Sequence, residues 1–254
     1  MKKILILGAA SAIAQETARC FSEEKASFYL AARDEAKLEV VKQDLLTRGA
    51  SGVETRKADL ADTSCHEELV RTAEKVLGGI DVVLIAYGKL SEQAACEKDY
   101  ALTAADMKTN FLSVVSFLTI LANLFIPIGG QTIAVISSVA GDRGRASNYV
   151  YGSAKGALSL YLQGLRARLA ACRVHVLTVK PGFVATPMTA NLPKNILFTS
   201  PKEAGKGIYQ AIRKKKNTVY VPWFWFWIML VIKMIPESFF IKLKSELLQN
   251  CRRP

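Results

Sequence analysis

Histidine is scarce, with only His66 and His175, and five scattered cysteines (Cys20, Cys65, Cys96, Cys172, Cys251) show no C-x-x-C spacing. An odd, unpatterned cysteine set argues against a disulfide framework and for a reducing, cytoplasmic compartment. With Cys65 and His66 merely adjacent, no metal site is expected. No run reaches the roughly 18 consecutive apolar residues of a spanning helix. The start, Met1-Lys2-Lys3-Ile4-Leu5-Ile6-Leu7 followed by Ala12-Ile13-Ala14, mimics a signal peptide. Its strongly apolar core is short against the about 7–15 residues of an h-region, so a buried first strand is the better reading. Repeats, low-complexity tracts and linkers are absent, and a chain half hydrophobic and 22% charged is neither disordered, collagen-like nor coiled-coil. Acidic residues are what the last fifth lacks: residues 201–254 hold eleven Lys or Arg and three Asp or Glu, +8 of the net +12. An excess so local argues against a domain-wide nucleic-acid surface.

Along the rest of the chain, short apolar runs alternate with helix-periodic stretches. The runs are Lys3–Leu7, Ser27–Ala31, Val53–Lys57, Asp81–Ala86, Thr132–Ser137, Val174–Val179 and Thr218–Val221; helices are predicted near 12–23, 34–47, 64–77, 101–125, 148–171 and 202–215. Ile4-Leu5-Ile6-Leu7 and Val82-Val83-Leu84-Ile85 are apolar at every position, which suits strands covered on both faces. The pattern predicts an α/β fold: a single doubly wound parallel sheet with helices on both faces, residues 1–221, and a C-terminal apolar and basic helical extension, 222–254. In such a sheet ligands bind beyond the carboxyl ends of the strands.

The loop after the first run, Gly8-Ala9-Ala10-Ser11-Ala12-Ile13-Ala14, leads into a helix whose first N–H groups suit a pyrophosphate. Gly8, Ser11, Ala12 and Ile13 are therefore candidate cofactor contacts. Ala12 and Ala14 stand where a glycine-rich fingerprint has two more glycines, and a plain strand–turn–helix corner is the alternative. The second run ends at Ala32-Arg33 with no acid at its tip, which favours NADP(H) over NAD(H); an exposed arginine beside a helix-capping Asp34 is the bland reading. Asp59 and Leu60 are placed to meet an adenine edge.

The most specific stretch is Ser137-Ser138-Val139-Ala140-Gly141 with Tyr151-Gly152-Ser153-Ala154-Lys155. Tyr151 and Lys155, four apart on a helix, share a face. A neighbouring ammonium is expected to lower the tyrosine's pKa and make it a usable acid or base. Ser138 closes a strand, where its hydroxyl can meet a reacting carbonyl.

With these motifs the sequence resembles the short-chain dehydrogenase/reductase family over residues 3–220. The resemblance implies Tyr151 as catalytic acid/base, Ser138 as stabiliser of the substrate oxygen, Lys155 as binder of the nicotinamide ribose and Asn110 as holder of a proton-relay water. It implies Pro181, Gly182, Val184 and Thr186 beside the nicotinamide. The family's Asn-Ala-Gly after the fourth strand reads Ala86-Tyr87-Gly88 here, so an asparagine is missing from that part of the cofactor site. Asp142-Arg143-Gly144-Arg145 and the C-terminal tryptophans resemble reductases of a keto-sugar carried on a polyprenyl phosphate.

All three tryptophans fall in Trp223-Phe224-Trp225-Phe226-Trp227, within the apolar run that ends at Ile232. Arg213, Lys214, Lys215 and Lys216 precede it, and Lys242, Lys244, Arg252 and Arg253 follow. Aromatics flanked by cations suit peripheral contact, through 222–244, with the inner face of the cytoplasmic membrane. Closure of a substrate pocket or a subunit interface is the alternative. The expected activity is NAD(P)H-dependent reduction of a ketone, small or lipid-linked, or the reverse oxidation. A catalytically idle dinucleotide-binding scaffold is the competing class. A homodimer or homotetramer is implied by the resemblance.

Overall fold

The computed structural model describes residues 1–242 except 191, 192 and 194. Lys244, Arg252, Arg253 and Cys251 therefore lie outside the described residues. The seven apolar runs become β1 (Lys3–Leu7), β2 (Ser27–Ala32), β3 (Gly52–Lys57), β4 (Val82–Ile85), β5 (Thr132–Ile136), β6 (His175–Pro181) and, near the end, β9 (Thr218–Val221). They form one parallel sheet in the order β3-β2-β1-β4-β5-β6-β9. Two further short strands, β7 (Phe183–Val184) and β8 (Phe198–Thr199), pair separately within the stretch that follows β6.

Crossovers are made by α1 (Ala12–Ser22), α2 (Glu35–Thr47), α3 (His66–Leu77), α4 (Gln93–Lys98), α5 (Tyr100–Met107), α6 (Ser113–Phe125), α7 (Tyr149–Ala170) and α8 (Pro201–Arg213); α9 (Trp225–Met234) follows β9. Asp34 caps α2 by accepting from the Lys37 N–H, and Gly78 ends α3 in the left-handed conformation. Strand alternation sorts the apolar runs into two cores. Ile4, Ile6, Phe28, Leu30, Val82 and Leu84 face α1, α2 and α8. Leu5, Leu7, Val83, Ile85, Ile133 and Val135 face α3, α6 and α7. Each large side chain so buried contributes roughly 1.5–3 kcal/mol.

Two expectations need correction. The helix predicted over 101–125 is broken: a π turn, Lys108–Leu112, separates α5 from α6. The short α4 was not predicted, because its six residues are too few to display a period. Tyr100–Phe125 is long and apolar enough to cross a membrane, yet Phe117, Leu118, Leu121 and Phe125 are buried in the second core.

Candidate active site

The strand order reverses between β1 and β4, so the crevice of this sheet opens beyond their carboxyl ends. There the loop at Gly8 meets the loop at Ala86-Tyr87-Gly88. Gly8 has φ +93°, and a Cβ on it would lie 2.6 Å from the Tyr87 nitrogen, so only glycine fits. Tyr87 turns its side chain away from the crevice: its hydroxyl bonds the Ser113 hydroxyl at 2.9 Å and its ring meets Phe117 edge-on. Burial holds the Tyr87 hydroxyl far above the ordinary phenol pKa. What Tyr87 presents beside Gly8 is its backbone.

The mouth of α1 fits a dinucleotide pyrophosphate on its own evidence. Ser11 is the N-cap but its side chain makes no capping bond, and the first turn holds no acid. Its hydroxyl and the N–H groups of Ala12 and Ile13 remain available to an anion. Arg33 is exposed at the tip of β2 and has no ion pair among the described residues, whereas Asp34 is committed to its cap and to Lys37 at 3.0 Å. Asp59 is exposed beyond β3 and accepts from the Ala61 N–H, while Leu60 is buried. The His66 ring lies stacked on Phe117 at 3.5 Å and bonds the Leu60 carbonyl and the Ser116 hydroxyl. Those contacts describe a packing role, and no group of three metal-ligating residues occurs among the described residues.

Of the paired serines, Ser137 is buried, donating to the Lys155 carbonyl and bonding Ser159 at 2.8 Å, which pins β5 to α7. Ser138, past the strand end, accepts from the Ala140 N–H at 3.1 Å, and its hydroxyl is near enough to Tyr151 to favour the phenolate. Lys155 is buried, lies 5.8 Å from the Tyr151 ring centre, and donates from Nζ to the Ile136 carbonyl at 3.1 Å. The expected lowering of the Tyr151 pKa is not found. Burial pushes it up to about 12, Ser138 pulls it down and the Asp106 charge adds to the rise. Burial lowers Lys155 to about 8 against the pull of Asp106. The i,i+4 spacing was legible, but the desolvation that governs the tyrosine's proton is a tertiary effect.

Asn110 sits in the π turn with its side chain fully used. Its amide donates to the Lys89 carbonyl and to Asp106 Oδ1, and its oxygen accepts from the Lys89 N–H. It thereby clamps the loop after β4. Gly88 brings that loop between Asn110 and Lys155: a Cβ there would lie 2.7 Å from Asn110 Oδ1 and 3.5 Å from Lys155 Nζ.

Opposite, Pro181 ends β6, Gly182 donates to the Val221 carbonyl, and the Trp225 indole presses so closely on Gly182 that a side chain there would collide with it. Val184 is buried on β7. Thr186 opens a short turn in which the Thr189 hydroxyl donates to the Val184 and Thr186 carbonyls. Two partners on this side escaped the sequence reading. Lys180 is ion-paired to Asp142 at 2.5 Å, and the Tyr220 hydroxyl donates to the same carboxylate at 2.7 Å. Arg145 donates to the Met229 sulfur, and Arg143 lies over the Phe240 ring, so the loop after β5 holds the C-terminal segment. Long-range pairs of this kind leave no local signal.

An anion-ready helix mouth at the switch point of a doubly wound sheet, facing a serine, a tyrosine and a buried lysine, defines an oxidoreductase of the Rossmann class. The short chain dehydrogenase family model matches residues 2–197, and the chain belongs to that family. An uncharacterized oxidoreductase of Mycobacterium tuberculosis is 34% identical over 92% of this chain and 94% of its own length. The ketoacyl reductase HetN of Nostoc is 26% identical over 87% and 78%. In fold, the chain matches an actinorhodin polyketide ketoreductase solved with NADPH (TM-score 0.77, 21% identity, 87% of this chain and 95% of that one). It also matches a 3-oxoacyl-[acyl-carrier protein] reductase of Brucella melitensis solved with NAD (TM-score 0.74, 22% identity, 87% and 95%).

Proposed function

We propose that this protein is an NADP(H)-preferring ketone reductase whose carbonyl substrate is carried on a lipid, a keto-sugar on a polyprenyl phosphate being the substrate that fits best. The observation that carries the reaction is the buried Lys155 ammonium 5.8 Å from the Tyr151 ring centre, with Ser138 at the adjoining strand end. The residues to hold the dinucleotide are Gly8, Ser11, Ala12 and Ile13 at the pyrophosphate, Arg33 at the adenosine ribose, and Lys155, Pro181, Gly182, Val184 and Thr186 toward the nicotinamide. When bound, that cofactor supplies or accepts the hydride. Tyr151, its pKa raised to about 12, stays protonated at neutral pH and gives its proton to the carbonyl oxygen as negative charge builds there. Ser138 donates a hydrogen bond to the same oxygen, and the Lys155 ammonium steadies the phenolate left behind.

The lipid reading rests on α9. Trp225 and Met229, 2% and 0% exposed, pack with Val139, Phe183 and Leu197 over the Pro181-Gly182 loop. Trp223 (72%), Trp227 (57%) and Met234 (75%), with Leu230 and Val231, face outward. An apolar outer face within the most basic fifth of the chain is complementary to an anionic lipid surface. Self-association is assigned to a second copy seated on the outer face of α7, where a groove of about 500 Å³ is lined by Phe111, Leu160, Tyr161 and Arg168.

The decisive experiment is Tyr151→Phe, assayed with NADPH and a panel of cyclic and acyl ketones. Turnover falls by at least about a hundredfold, while NADPH fluorescence still changes on protein addition. Near wild-type turnover rejects the mechanism.

A further inference from the structure

Asp106 is the most deeply placed acid beside this site, and nothing in the reaction described above uses it. It is 0% exposed, near the end of α5; its Oδ1 accepts from the Asn110 amide at 2.6 Å, and its Oδ2 has no hydrogen-bond partner among the described residues. An ionised carboxylate held out of water costs several kcal/mol unless a cation or donors compensate it. Buried lysines meet the mirror problem, and Lys180 solves it by pairing with Asp142. Among the described residues Lys155 has only the Ile136 carbonyl as a hydrogen-bond acceptor, and Asp106 is the acid that favours its charge.

The groups around Asp106 are few. From α7 they are Lys155 and Tyr151. Lys108, in the π turn, is exposed and interacts with Asp62. The loop after β4 offers the Lys89 peptide through Asn110.

We propose that Asp106 is a positioning residue for the reaction: its buried carboxylate orients the Asn110 amide and supplies the counter-charge that keeps Lys155 an ammonium beside Tyr151. The inference rests on the reductase reading. Removing the negative charge lets both Lys155 and Tyr151 lose their protons at lower pH, because the carboxylate favours the protonated form of each.

The test is Asp106→Asn together with Asp106→Ser, assayed with NADPH and the same ketones, plus NMR titration of lysine-labelled protein. The basic limb of the kcat profile and the Lys155 titration midpoint both move to lower pH. At neutral pH kcat falls about tenfold while KM changes little. Asp106→Glu, which keeps the charge, restores the basic limb. An unmoved limb and midpoint in a folded neutral variant overturn the proposal, and so does failure of both neutral variants to fold, which makes the carboxylate a matter of stability alone. Tyr151→Phe run in parallel separates the two readings: if it is inactive while Asp106→Asn is normal, only this inference falls.

Discussion

Arg33 and Asp34 stand side by side at the tip of β2, and only the acid is committed, to its helix cap and to Lys37. On the proposed NADP(H) preference, the guanidinium is the group left to meet the 2′-phosphate. One charged hydrogen bond is worth about 1.5 kcal/mol, or tenfold in affinity. Arg33→Ala is therefore expected to raise the NADPH Kd about tenfold and leave that of NADH unchanged, as read by fluorescence titration. Equal losses for both dinucleotides would count against the NADP(H) assignment. Tyr151 shows what a residue-level reading misses. Its partner four residues on was visible, but whether the lysine or the loss of water governs its proton depends on burial.

Among the elements, α9 is the one whose pattern was ambiguous. A helix apolar all round declares no single inner stripe, so pocket closure and membrane contact were both compatible with it. Packing divides them: Trp225 and Met229 go inward, and Trp223, Trp227 and Val231 outward. The triple variant Trp223→Ser, Trp227→Ser, Val231→Ser is expected to cut co-sedimentation with phosphatidylglycerol vesicles at least about tenfold. It keeps NADPH-dependent reduction of a soluble ketone, since the inner face is untouched. Unaltered sedimentation, or none with the wild-type protein, removes the lipid assignment. The π turn between α5 and α6 is the opposite case. No proline or glycine marks it, and continuous helical periodicity runs across it; it exists where Asn110 is drawn toward the Lys89 loop.

For the whole molecule, the outer face of α7 is left apolar by a fold that has already satisfied its two cores. Leu160 is 70% exposed there. Leu160→Arg is expected to shift light-scattering mass from dimer or tetramer toward monomer, with the cofactor site intact. A monomeric wild-type protein rejects that interface.

Much of the architecture was present in the sequence alone, because it depends on local periods. Fully apolar runs alternating with helix-length segments are compatible with few folds other than a parallel sheet covered on both faces, and Tyr151, Lys155 and Ser138 lie at spacings one helix and one strand end dictate. Contacts over long separations were decided only by tertiary structure: Tyr87 turned into α6, Asp142 shared by Lys180 and Tyr220, Asp106 buried behind Asn110, and the two faces of α9. Their chemistry depends on which groups lose water together, and that is a property of packing rather than of order along the chain.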